Sequence, residues 1–337
     1  MSSINNTFTI IPNITSYDET HIKLLLDSPN ILALNTDNSL LYKIDLSSGS
    51  ILEEPITVDV LKVKNIAIDN SNNSVIYAAT PYFISSVNKY TGHIIDNSLC
   101  DYLPNYINNG FAYNDSNFYL LGKTMLYSYN RDCINDISGS PIVSRPSLID
   151  KWTPTLDMYL KCKPDISWNV IPNDQPEKTY IANSLVVDEN YIYITVEDVT
   201  DKQEIRNNYE HLFPNSDFVC DTNNYSEIAR ISNDIMNEYK YASSFICRIN
   251  KDTNVIEPTW GKNLLAPYDL KIKDNYIYIV SKMGGITVID KLTGRIIKKS
   301  LLYGLCIGIQ ELVVTDKDIY LYNNMSKNIV KIENAFI

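Results

Sequence analysis

The chain has few of the residues that most often announce chemistry. Glycine occurs only 11 times in 337 residues, and there is neither a Walker-type phosphate loop nor a G-x-S-x-G nucleophile elbow. Histidine is limited to His21, His93 and His211. His21 opens an apolar run and His93 follows a turn, so both read as surface residues. No H-E-x-x-H occurs, and no Cys/His set has zinc spacing. The six cysteines include no C-x-x-C pair, which favours reduced structural thiols over a disulfide framework.

Basic clusters are missing as well. With 29 Lys and Arg against 40 Asp and Glu, the formal net charge is -11, and the only basic cluster is the short pair Lys298-Lys299. Binding through phosphates needs a basic footprint, so nucleic acid and anionic membrane are not expected partners. No apolar run is long enough to span a bilayer, and membrane insertion is not expected. The start, MSSINNTFTIIPNIT, has no basic n-region and no apolar h-region. The expectation is a cytoplasmic chain, or one released without a recognisable signal peptide.

What the chain does have is tyrosine, 25 residues against 8 Phe and 3 Trp, and alternating apolar runs. Tyrosine suits half-buried strands whose hydroxyl reaches water or the backbone. The clearest stretch, 268–299, reads YDLKIKDNYIYIVSKMGGITVIDKLTGRIIKK. Its three alternating runs and a fourth short one, divided by turns, describe an up-down four-stranded sheet. Approximate copies start at HIKLLL, VKNIAID, NGFAYN, NSLVVDE and QELVVTD. A sheet that repeats must stack or form a ring. The expected fold is therefore all-β, a single β-propeller domain over 1–337.

The turn between third and fourth strands serves as a ruler. It falls at Gly49, Gly92, the equivalent position Ile134, Asn254 and Gly294, at intervals of 40 to 43 residues except for the 120 residues between 134 and 254. Within that interval, 197–243 reads as an insertion between the second and third strands of one unit. Subtracting it leaves nearly two repeats, so a further, degenerate blade is expected over 145–182, built from DMYLKCK, ISWNV and KTYIA and interrupted by Pro154, Pro164, Pro172 and Pro176. The ruler thus favours seven blades over six; on a six-bladed ring the same segment would be a loop excursion. The last unit has only three runs, and the unpaired strand within 7–14 supplies its missing fourth, which removes an exposed edge.

The insertion has a different period. Ile228, Ile231, Ile235 and Tyr239 recur at three- and four-residue steps, the face of an amphipathic helix over 225–241. Before it the segment is aromatic and turn-rich. Tyr209, His211, Phe213, Phe218, Tyr225 and Tyr239 are its candidate binding residues, since recognition is commonly carried by loops on a rigid scaffold.

The turn segments ITVIDKLTGRII, ISSVNKYTGHII and LLYKIDLSSGSIL resemble the quinoprotein-like (PQQ-repeat or YVTN-type) β-propellers, whose blades carry an apolar-x-Asp/Asn-x-x-Thr-Gly-x-apolar turn. The resemblance implies the fold. Non-enzymatic scaffolds share the pattern, and the dehydrogenase members differ from this chain in a vicinal Cys-Cys and a repeated docking Trp, whose place is taken here by Ile95 and Ile297. No quinone or calcium residues carry over, and no cofactor is expected.

Three functions follow in order. The first is a non-catalytic scaffold that binds a protein partner through the 197–243 rim. The alternative is a metal-dependent hydrolase or lyase acting on a small molecule in the channel, for which the loop acids Asp69, Asp188, Asp274 and Asp316, with Glu189 and Asp115 in similar loops, are the candidate ligands. Asp is also simply what such turns require. The third is a carbohydrate-binding propeller, which would need an aromatic platform in each blade that three Trp residues cannot supply and that tyrosine could.

Overall fold

A computed structural model describes residues 8–11, 22–60, 63–69, 72–80, 83–99, 110–114, 117–130, 165–172, 177–200, 244–264, 266–281, 285–301, 309–323 and 328–333. The described residues form strands and turns with no helix. They make six four-stranded antiparallel sheets, and the chain divides into two compact units.

The unit Tyr17–Asn169 holds three blades. Blade 1 is β2 (Ile22–Asp27), β3 (Asn30–Asn35), β4 (Leu40–Asp45) and β5 (Ile56–Thr57), which follow β1 in chain order. Blade 2 is β6 (Asn65–Ile68), β7 (Val75–Ala79), β8 (Phe83–Asn88) and β9 (Ile94–Leu99). Blade 3 is β10 (Gly110–Asn114), β11 (Asn117–Leu121), β12 (Met125–Asn130) and β13 (Ile166–Asn169).

The unit of Val170–Ile337 with Met1–Ser16 holds the other three. Blade 4 is β14 (Tyr180–Val187), β15 (Tyr191–Asp198), β16 (Ser244–Asn250) and β17 (Ile256–Leu264). Blade 5 is β18 (Pro267–Lys273), β19 (Tyr276–Ser281), β20 (Gly285–Asp290) and β21 (Ile296–Leu301). Blade 6 is β22 (Ile309–Val314), β23 (Asp318–Asn323), β24 (Asn328–Glu333) and β1 (Phe8–Ile11). The orphan N-terminal strand does pair with the last strand, Phe8 opposite Ile332 and Ile11 opposite Ile329.

The blade count corrects the sequence reading: the described residues make six blades, where the ruler favours seven. The fourth strand of blade 3, expected just after Arg131-Asp132, is Ile166–Asn169, which pairs with Met125–Ser128. ISWNV therefore completes blade 3, and the end of KTYIA opens β14. DMYLKCK and the residues expected to be helical, 225–241, lie outside the described residues. The ruler miscounted because long stretches of chain separate β12 from β13 and β15 from β16, and the described residues of the interval form no extra sheet. Chain entropy permits this cheaply, since each doubling of a loop costs only about 0.6 kcal/mol.

Burial explains the sequence pattern. Second strands are buried on both faces, as in Val75–Ala79 and Asp318–Asn323 after its first residue, and so read as nearly continuous apolar runs. Fourth strands are more exposed; in β13 only Trp168 is buried. Facing blades interleave these residues: Leu34, Ile66, Ile76 and Val87 between blades 1 and 2, and Tyr193, Ile246, Leu270 and Ile279 between blades 4 and 5. Between blades 2 and 3 the filling is aromatic, with Tyr77 4.6 Å from Tyr113 and 4.9 Å from Phe118 by ring centroids.

The repeated turn is an Asx turn closed by a left-handed residue. Asp290 Oδ1 accepts the Leu292 and Thr293 N–H groups at 3.1 and 2.7 Å and the Thr293 hydroxyl at 2.7 Å. Asp45, Asn88 and Asn250 make the same contacts in their blades. The closing residue, Gly49, Gly92, Asn254 or Gly294, has φ between 59° and 76°, which Gly adopts freely and Asn tolerates.

Two of these caps are acids whose pKa values fall: that of Asp45 to about 2, through the Ser47 hydroxyl first and then Ser48, and that of Asp290 downward through Thr293. A carboxyl held below its unfolded value adds stability above the ordinary carboxylate range that disappears as pH falls through the folded pKa. The double variant Asp45→Asn/Asp290→Asn, which copies the amide caps of blades 2 and 4, is expected to lose at neutral pH the increment that the two carboxylates add, and so to flatten the acid limb of urea-unfolding stability between about pH 4 and pH 2. An acid limb identical to that of the parent chain would refute this role.

Candidate functional site

The place where the described fold departs from its repeat most clearly is the root of the β15–β16 connection. Its two ends are held side by side. The Asp198 N–H donates to Ser244 Oγ at 3.0 Å, and Val199 N–H donates to the Thr179 carbonyl at 2.8 Å. Thr200 Oγ1 donates to Asp198 Oδ1 at 2.6 Å and accepts the Thr179 N–H at 2.8 Å. Lys178 Nζ completes the set 3.1 Å from Asp198 Oδ2. Below them Tyr180 and Phe245 meet edge to face at 5.4 Å. The base is thus rigid and polar, seated on an aromatic pair. The β12–β13 connection has a simpler root, in which Asp165 accepts the Asn130 N–H at 2.7 Å and donates its own N–H to the Ser128 carbonyl at 2.8 Å.

Behind the first root lies a buried polar layer that sequence reasoning missed. Asp269, 3% exposed, accepts hydrogen bonds from Ser184 Oγ (2.7 Å), the Leu270 N–H (2.8 Å), the Leu312 N–H (2.9 Å) and Lys271 Nζ (2.9 and 3.0 Å). It joins the first strands of blades 4, 5 and 6. Each of those strands has a register shift at this level, between Ala182 and Ser184, Pro267 and Asp269, and Ile309 and Glu311. A first strand is the edge of its sheet, so alternate N–H groups face away from the ladder, and the Asp269 carboxylate takes the one on Leu312. The available signal was positional: Ser184, Asp269 and Glu311 each precede a strand leucine, Leu185, Leu270 and Leu312.

Of the four acids proposed as metal ligands, Asp274 and Asp316 share Lys273 as a neighbour, Asp274 at 4.0 Å from its Nζ, and the other two carboxylates have neighbours of their own. Asp69 is buried and accepts the Tyr77 hydroxyl at 2.9 Å. Asp188 caps its turn through the Asn190 and Tyr191 N–H groups at 2.9 and 2.7 Å and lies 3.3 Å from Lys291 Nζ. Asp274 has φ 54° in the β18–β19 turn. Asp316 pairs with Lys273, which lowers the pKa of the acid and raises that of the lysine. Among the described residues no three His, Cys, Asp or Glu side chains are grouped to hold a metal.

Of the histidines, His93 is exposed and sits 2.8 Å from Asp59; His21 and His211 lie outside the described residues, as do Tyr209, Phe213, Phe218, Tyr225 and Tyr239. Cys247 is a buried free thiol, its pKa pushed up to about 12 by burial and then by Glu257, which makes it unreactive.

One aromatic cluster stands out. Arg248 lies 4.5 Å from the Tyr191 ring and 4.6 Å from the Trp260 ring, and its guanidinium meets the Glu257 carboxylate through both oxygens at 2.6 and 2.8 Å. Buried Tyr193 packs against Trp260 at 5.4 Å, and burial, with the nearby Asp188 charge, raises its pKa. Glu257 takes the Nε and Nη2 donors of the guanidinium, and all the residues of the cluster lie on β15, β16 and β17, so it ties the outer strands of blade 4 together.

No helix among the described residues is long and apolar enough to cross a membrane. No family model matches the chain, and no curated protein matches it. Solved structures do resemble it. The Pan2 WD40 domain of Neurospora crassa is 10% identical with a TM-score of 0.50, the match covering 94% of this chain and 75% of that one. The hydrazine synthase of Kuenenia stuttgartiensis is 11% identical at 0.48, covering 94% and 95%. The computationally designed Ika8 protein is 10% identical at 0.44, covering 96% and 99%. Likeness to the WD40 domain at this identity establishes the β-propeller fold and nothing finer.

Proposed function

We propose that this chain is a non-catalytic β-propeller scaffold that captures a protein partner through residues 197–243, with Tyr209, His211, Phe213, Phe218, Tyr225 and Tyr239 as the contact residues. The observation that supports this reading is the built root: a long aromatic segment enters and leaves through one hydrogen-bonded hairpin mouth at Asp198 and Ser244. Recognition segments are placed on rigid scaffolds in this way, and propellers of the WD40 type are consistent with an interaction role.

The test is deletion of residues 203–241. Because the ends already lie together, the shortened hairpin should close without strain, and stability should rise by no more than about 2 kcal/mol from the reduced loop entropy. Captured protein should be lost on deletion, and cross-links from the intact chain to its captured partner should map to 203–241. The reading fails if the deleted chain retains its partner, or if the cross-links map to the blades.

A further inference from the structure

We infer that the root of the β15–β16 connection is coupled through buried hydrogen bonds to the first strands of the next two blades, so that β14, β18 and β22 open as one cooperative unit. The coupling begins at Glu197, one residue before the root and 3% exposed. Its Oε2 accepts a hydrogen bond from Asn183 Nδ2 at 2.9 Å, and the same amide donates to the Pro267 carbonyl of blade 5 at 2.8 Å. Asn183 can do both because it is the bulged residue of β14, lying between the register pairs Ala182–Val196 and Ser184–Thr195.

The next residue, Ser184, carries the path onward. Its N–H donates to Thr195 Oγ1 at 3.1 Å, and that hydroxyl lies 3.3 Å from the Tyr268 carbonyl of blade 5. Its own hydroxyl donates to Asp269, which in turn accepts the Leu312 N–H of blade 6. Five side chains thus connect the root to an amide two blades away.

Physical chemistry makes such a path cooperative. Every group in it is buried or nearly so, and a buried polar group that loses its partner is penalised in full, whereas solvent would forgive the same loss at a surface. Moving Asn183 out of its bulge takes one hydrogen bond from Glu197 and one from the Pro267 carbonyl together and displaces Ser184 from Asp269. Asp269 then holds Leu312 with one fewer constraint. The discrete alternative that coupling requires is local opening of the three strands, in which the shared polar groups exchange their buried partners for water together. The biological consequence, that a load on 197–243 is felt at β22, rests on the recognition reading above; the coupling itself does not, and its test uses the free protein.

The experiment is amide hydrogen exchange on the full chain, following residues 309–314. Asn183→Ala touches nothing in β22, yet it is expected to speed exchange there by about tenfold, the scale of one buried hydrogen bond. Ser184→Ala, which keeps Asn183 and breaks the other branch, should give the same pattern. Thr200→Ala, whose described bonds stay within the root, should leave 309–314 unchanged. Faster exchange confined to β14 and β15 would overturn the inference. So would uniform acceleration that includes β2 and β3 of the other unit, since that reports global loss of stability. If Asn183→Ala fails to fold, the Ser184→Ala result decides alone.

Discussion

Asp269→Asn should be among the most damaging isosteric changes in the described chain, costing about 3–5 kcal/mol in urea unfolding. The carboxylate now accepts five hydrogen bonds and donates none. An amide of the same shape has one accepting oxygen. If that oxygen faces Ser184 and Leu270, the new NH2 points at the Leu312 N–H, donor against donor, and Lys271 loses its counter-charge. If the amide flips, Leu312 is satisfied and the Ser184 hydroxyl can turn to accept from the NH2, but the Leu270 N–H is left facing a donor. Neither rotamer serves all the partners, and the site is too buried for water to make good the loss. Ser184→Ala alone removes one neutral donor and should cost about 1 kcal/mol. Combined with Asp269→Asn, its effect should largely vanish, because the interaction is already spoiled. A loss below about 1 kcal/mol for Asp269→Asn would show that the joint between blades 4, 5 and 6 is held by apolar packing alone.

That joint also shows why part of the molecule was legible in the sequence and part was not. Strand alternation and the Asx turns are local, so a single chain displays them: Asp290 and Thr293 satisfy each other within one turn. The N-terminal strand was readable by subtraction, since three runs in blade 6 demanded a fourth. Blade number was not, because the interval between 134 and 254 can be filled equally well by a degenerate sheet or by two long connections. Only the pairing of Ile166–Asn169 with β12 decides between them. Asp269 was visible as a residue but not as a joint. Its partners lie 85 and 43 positions away in Ser184 and Leu312, and the edge position that turns the Leu312 N–H away from its own sheet leaves no mark on composition.

Lysine gives an intermediate case. The residue after the Asx cap is Lys in three turns, Lys89, Lys251 and Lys291, which alone reads as surface charge. In the structure Lys89 is almost fully buried and holds Asp27 at 2.7 Å, and Lys291 reaches Asp188 at 3.3 Å. Both contacts join a turn to the acid closing the first strand of the preceding blade. Lys251 instead donates to the Asp188 carbonyl of its own blade at 2.5 Å. The repeat therefore encodes contacts between blades as well as the shape of each blade, and Asp188, proposed from sequence as a metal ligand, is occupied in one of them.

The same double duty sets the second large effect. Gly294→Ala should destabilise by about 3 kcal/mol, and Gly92→Ala by more, for two separable reasons. The φ values of 72° and 76° cost an L-residue roughly 1–2 kcal/mol. In addition, the turn abuts the fourth strand of the preceding blade. A Cβ at Gly294 would stand 2.7 Å from the Trp260 carbonyl oxygen and 3.1 Å from its indole, and one at Gly92 would stand 2.0 Å from the Thr57 carbonyl oxygen. Backbone cannot step aside as a side chain can, and overpacking of this kind costs about 1–3 kcal/mol more.

Asparagine separates the two causes. Asn254 occupies the same turn position with φ 59°, so the conformation itself accepts Asn. Gly294→Asn should therefore recover most of the conformational part and none of the steric part. Trp260→Ala in the same background should then relieve some of the indole contact, although not the contact with the carbonyl. Were Gly294→Asn as stable as the parent chain, the glycine would be needed only for its backbone freedom. The abutment of blade 5 on β17 would then carry none of the energy assigned to it here.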